Sequence, residues 1–146
     1  MKHGVKVVDI WRFEGRTHLE VPLFTAGVSA GFPSPADDFV DRSLDLNEYL
    51  IKHPAATFFV RVEGHSMIGS GIHPGDILIV DKALEPYDGS IVIAVLNGEF
   101  TVKRFKREHG RCCLIPDNPA YAPIEITGDM QLEVWGVVTY VIHKAG

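Results

Sequence analysis

Ile91-Val92-Ile93-Ala94-Val95-Leu96-Asn97-Gly98-Glu99-Phe100-Thr101-Val102-Lys103-Arg104-Phe105 reads as two apolar runs hinged on Asn-Gly. Asn97-Gly98 is the strongest hairpin signal in the chain, because both residue types tolerate the positive φ that a tight two-residue turn demands. It joins a strand over 91–96 to one over 100–105. Side-chain alternation then sets Lys103 on the face opposite Phe100, Val102 and Arg104. Working outward, residues 57–62 are β-branched and aromatic, 71–74 turn, and 76–80 run apolar. Asp88-Gly89 is a turn signal between 77–80 and 91–96, and further strands fit 111–115 and 131–142. One helix is expected over 46–52, capped by Asp45, with Leu46, Tyr49 and Leu50 on one face and Pro54 as its stop. Many short strands with Gly and Pro turns predict a mainly β fold, a small curled, barrel-like sheet with one short helix.

The first 42 residues differ from the rest. Residues 5–11 can pair as a strand, but nothing adjacent marks a hairpin partner. Residues 25–36 are rich in Ala, Gly, Ser and Pro and end in Phe32-Pro33-Ser34-Pro35, where two prolines fix φ and remove two donors. An extended, weakly held segment is expected there. The chain therefore divides into an extended N-terminal arm, 1–42, and a β-rich domain, 43–146.

The 146 residues suit one domain, and 46% hydrophobic content is enough for a core. A net charge of −5 argues against direct nucleic-acid binding through a basic surface. No apolar stretch has the length of a membrane span, and residues 1–10 lack the apolar core of a signal peptide, so a cytoplasmic protein with no membrane contact is expected. Adjacent Cys112 and Cys113 make neither a disulfide framework nor a zinc site, and the seven histidines are scattered without ligand spacing. No metal and no cofactor are expected.

Ser66 follows Gly64-His65 at the end of one apolar run, and Lys103 lies in another, 37 residues away. A serine hydroxyl becomes a nucleophile when a base takes its proton, and a lysine is that base only when neutral. Burial against apolar neighbours lowers a lysine pKa. Gly64 lets the backbone turn sharply, so that the amides of His65 and Ser66 can face the oxyanion of a tetrahedral intermediate, with Met67 as an apolar wall. Ala30-Gly31 would admit a nucleophile without a large side chain intervening, and Val28 would fill a small pocket two residues before that bond. Taken singly, each of these is also an ordinary turn, strand or loop residue.

Together, Gly31-Phe32-Pro33-Ser34-Pro35-Ala36, Gly64-His65-Ser66-Met67, Gly75-Asp76-Ile77-Leu78-Ile79-Val80-Asp81 and Gly98-Glu99-Phe100-Thr101-Val102-Lys103 resemble the UmuD branch of the LexA-type self-cleaving proteins, over roughly residues 21 to 142. The resemblance implies a Ser-Lys dyad, with Ser66 as nucleophile, Lys103 as general base and Ala30–Gly31 as the scissile bond. It also implies stimulation by a RecA filament on single-stranded DNA. The shortened chain, starting at Gly31, would act as a homodimer with a UmuC-like translesion polymerase after DNA damage. Two departures stand out. Only 30 residues precede the cut, without the helix-turn-helix pattern of a repressor, and the cut reads Ala-Gly where the best-known UmuD protein has Cys-Gly.

Four alternatives stay open on sequence grounds. A Ser-His-Asp triad would draw on His65, His73, Asp76 and Asp81. A non-catalytic structural polymerase subunit would keep Ser66 and Lys103 as relics. A fragment of a LexA-type repressor and a signal peptidase share the same kind of dyad.

Overall fold

The computed structural model describes residues 5–14, 20–24 and 40–146. Two compact units emerge. One joins the N-terminal residues up to Phe13 to Ala55–Gly146, and the other spans Glu14–Pro54.

The larger unit is built on one antiparallel sheet. Its strands are β1 (Lys6–Arg12), β4 (Thr57–Glu63), β5 (Ile77–Asp81), β6 (Ile91–Leu96), β7 (Glu99–Glu108), β8 (Arg111–Ile115), β9 (Ile124–Glu125) and β10 (Leu132–Ile142), in the spatial order β1-β4-β5-β10-β6-β7-β8-β9. Lys6 of β1 also pairs with Thr101 of β7. That contact brings the first strand of the order round to the sixth, so the sheet curls upon itself as the pattern of short strands predicts.

The β6–β7 hairpin turns on Asn97 (φ 49°) and Gly98 (φ 85°), with Leu96 opposite Glu99. Asn97 further exchanges hydrogen bonds with Gln131, tying the turn to the start of β10. The Asp88-Gly89 turn does not make a hairpin. β10 lies between β5 and β6 and pairs with both.

The core forms two clusters because β6 and β7 are covered on both faces. Val5, Val60, Val62, Met67, Ile72, Leu78, Val80, Ile93 and Val102 make one, and Val92, Ala94, Phe105, Leu114 and Val137 the other. Fully burying a valine or leucine contributes about 1.5–3 kcal/mol each, so Val5, far from its partners in sequence, is a substantial anchor for β1.

The smaller unit holds β2 (Glu20–Phe24) paired antiparallel with β3 (Val40–Asp45), followed by a helix, α1 (Leu46–Leu50). Asp45 caps that helix by accepting from the amides of Asn47 (2.9 Å) and Glu48 (3.4 Å). The helix stops two residues short of the expected Lys52, because Ile51 leaves the helical region (φ −112°, ψ 107°) and buries its side chain. Tyr49, expected on the apolar face, is 50% exposed.

Candidate active site

Ser66 is positioned by a change of backbone direction. β4 ends at Glu63, Gly64 takes φ 106°, and a short 3-10 turn over Ile68–Ser70 follows. The turn is fastened to the segment around Asp117. Gly69 N donates to Asp117 O at 2.7 Å, Asp117 N donates to Met67 Sδ at 3.3 Å, and Asn118 Nδ2 donates to His65 O at 2.9 Å. A Cβ at Gly69 would collide with the Asp117 carbonyl oxygen, so only glycine fits this approach. Arg104 locks the other side, donating to Asp117 Oδ2 (3.0 and 2.8 Å), Ser70 Oγ (2.7 Å) and Gly89 O (2.6 Å). Ser70 Oγ also donates to Asp117. Ser66 itself has no exposed surface.

Lys103 comes from β7. Cross-strand pairing sets it opposite Val92, and Thr101 opposite Ala94, so both side chains share a face with small apolar residues. Lys103 is 3% exposed. Its Nζ donates to Ser66 Oγ at 3.2 Å, Thr101 Oγ1 at 3.0 Å and Val102 O at 3.2 Å. Burial disfavours the ammonium and pushes its pKa from the ordinary 10.5 down to about 8. The nucleophile and the base expected from the sequence are thus brought within hydrogen-bond distance, with the base partly neutral near physiological pH.

The remaining site residues fall out as follows. His65 precedes Ser66 in the turn and is exposed, while its carbonyl accepts from Ile68 N and Asn118 Nδ2. Met67 is fully buried in the core cluster that includes Val5. Val28, Ala30 and Gly31 lie outside the described residues. His73 and Asp76 pair with each other and with His143, whose Nδ1 lies 2.7 Å from Asp76 Oδ1. The described partners of Ser66 Oγ are Lys103 Nζ and the amide of Val5.

Two participants went unread in the sequence. Thr101 holds Lys103 Nζ, and its signal was the two-residue spacing that puts it on the lysine's face. Val5 donates its amide to Ser66 Oγ at 3.0 Å, and no local signal in the N-terminal run points to that destination.

Residues 22–139 match the family described as Peptidase S24-like. The chain is 53% identical over 123 residues to Protein SamA of Salmonella typhimurium, covering 84% of this chain and 85% of that protein. It is 44% identical over 135 residues to Protein MucA of Escherichia coli, covering 91% and 92%. The LexA repressor of Pseudomonas chlororaphis is 40% identical over 118 residues, which are 80% of this chain and 58% of the repressor.

Proposed function

This chain belongs to the Peptidase S24-like family, as a UmuD-like member of the LexA/UmuD group, and on that premise we propose that it cuts itself between Ala30 and Gly31 with Ser66 as nucleophile and Lys103 as general base. The observation that carries this reading is the buried 3.2 Å contact between Lys103 Nζ and Ser66 Oγ, at a lysine whose burial favours the neutral amine. Neutral Nζ takes the Ser66 proton as Oγ bonds to the carbonyl carbon of Ala30. The resulting ammonium returns that proton to the nitrogen of Gly31 as the peptide bond breaks. A water, deprotonated by the same amine, then releases the acyl-serine. The amides of His65 and Ser66 would hold the oxyanion, and Val28 and Met67 would give the segment its register.

In this reading the arm, 1–42, is the substrate of the domain, 43–146, and its high effective concentration removes the need for tight capture. A RecA filament on single-stranded DNA accelerates the cut without supplying a catalytic group. The shortened chain then joins, as a homodimer, a UmuC-like translesion polymerase in SOS mutagenesis in the cytoplasm. The similarity to SamA and MucA over most of the chain supports this reading. No helix among the described residues is long and apolar enough to cross a membrane.

Incubation at pH 10, and separately with RecA on single-stranded DNA, tests it. The expected product starts at Gly31 and is absent from Ser66→Ala and Lys103→Ala chains. A fragment that persists in Lys103→Ala but vanishes in His73→Ala would replace the dyad with a triad. No fragment under either condition would leave the non-catalytic reading standing.

A further inference from the structure

The strand over Ser66 is not the scissile segment. Val5 N donates to Ser66 Oγ at 3.0 Å, and Val5 O accepts from Thr101 Oγ1 at 3.5 Å, the same hydroxyl that holds Lys103 Nζ. Val5, like Ser66, has no exposed surface. From there β1 runs antiparallel along β4, from Lys6 opposite Glu63 to Arg12 opposite Phe58, and Lys6 also reaches Thr101 of β7. The Val5 amide is therefore spent on Ser66 and its carbonyl on Thr101, the residue that also holds Lys103, and β1 fills the strand position beside β4.

The contact is close but unproductive. An amide that donates along its N–H bond holds the hydroxyl near the plane of its own peptide. Attack on a carbonyl carbon must come from above such a plane. Any other segment offering its carbonyl to Ser66 Oγ needs the space that Val5 occupies.

We propose that the edge of β4 and the Ser66–Lys103 floor form a binding site for one extended segment at a time, and that residues 5–12 are its resident occupant. This rests on the peptidase reading above and adds its control: Ala30–Gly31 is cut only while β1 is displaced. The strand is anchored by its inner face alone. Val5 is fully buried and Val7 packs partly against the core, but Val8, Ile10 and Trp11 are 48%, 40% and 42% exposed, and the ladder slips between Val7 and Asp9. An activating partner that keeps β1 away raises the fraction of chains whose site can accept the scissile segment in its place, and the cleavage rate scales with that fraction.

A reversible clamp tests this in the full-length chain. Lys6→Cys with Glu63→Cys, in a chain carrying Cys112→Ser and Cys113→Ser, places two thiols on directly opposed, exposed residues of β1 and β4, within the reach of a disulfide. Oxidation should slow formation of the fragment starting at Gly31 by about tenfold or more, and dithiothreitol should restore it. Val5→Pro, which removes the amide proton donated to Ser66, should accelerate the cut by a similar factor. Should Val5→Pro not fold, the clamp alone decides. An oxidised clamp that cuts at the reduced rate overturns the proposal and leaves the peptidase reading intact. A reduced clamp that yields no Ser66-dependent fragment removes the peptidase reading and this proposal with it.

Discussion

The pH dependence of the proposed self-cleavage is its most exacting test, because it follows from the buried amine. With a Lys103 pKa of about 8, the neutral fraction is about one in eleven at pH 7, half at pH 8 and about ten in eleven at pH 9. The first-order rate should therefore climb about tenfold between pH 7 and pH 9 and then flatten. A lysine at its ordinary 10.5 would be neutral in only about one chain in three thousand at pH 7, and its rate would still rise about tenfold per unit at pH 9. The two curves differ most between pH 9 and pH 10.5, one level and the other steep. The assay follows, by intact mass, the fragment starting at Gly31 from pH 6 to pH 11, with Ser66→Ala as the blank. Lys103→Arg serves as a second control, because a guanidinium stays protonated throughout the range and provides no base. A steep rise that continues past pH 9.5 would refute the claim that burial has prepared the base. A profile flat from pH 6 would show that Lys103 is not the group that titrates.

The same shift has a signature in stability. A lysine whose folded-state pKa is lowered leaves the unfolded chain holding more protons between pH 8 and 10.5, so its contribution to stability improves as pH rises through that window. Below it, the buried cation costs about 3 kcal/mol, the 2.5-unit difference between 10.5 and 8 at 1.36 kcal/mol per unit. Lys103→Met should thus gain stability over the native chain at pH 7 in urea melts, and that advantage should shrink by about 3 kcal/mol by pH 10.5; a constant difference across pH would contradict it. Gly69→Ala forces a Cβ against the Asp117 carbonyl at the base of the Ser66 turn. It should lower stability by about 1–3 kcal/mol and slow cleavage as well, and a variant with native melting and native rate would show that the turn tolerates what its geometry forbids.

What could be read from the chain was local. The β6–β7 hairpin was legible because Asn97 and Gly98 carry the whole requirement of the turn in two residues. Ser66 and Lys103 taken singly are ordinary turn and strand residues, and only their motifs together, through the family resemblance, led to the expectation of a pair; the structure sets Nζ 3.2 Å from Oγ. His109-Gly110 makes a turn with the same positive-φ signature between β7 and β8, but histidine advertises it less than asparagine does. The pairing of β2 with β3 was obscured by Pro22 in one strand and the polar run Asp41-Arg42-Ser43 in the other. The intrusion of β10 between β5 and β6 was not legible, because no local residue records which strand fills a gap left by two others. The partner of β1 was hidden in the same way. Residues 5–11 announce a strand, and only the three-dimensional sheet reveals that its neighbour is 57–63 and that its first residue ends on Ser66.

Those non-local features matter most to the chemistry. A dyad of this kind needs a dry lysine, and dryness is a property of whatever lies over it. Val5 sits against Ser66, and Lys103, whose Nζ lies 3.2 Å from Ser66 Oγ, is 3% exposed. A scissile segment that replaces β1 must exclude water equally well, or the amine regains its proton and the base is lost. Occupant and substrate therefore face one requirement, an extended stretch that pairs with β4 and buries a small apolar side chain at the position of Val5. An emptied site would hold a wetter, more basic lysine and, like the site filled by β1, would not cut. Burial that the fold tolerates at about 3 kcal/mol is thus useful only while some strand is in place. This ties activation to exchange of one strand for another rather than to opening of the cleft.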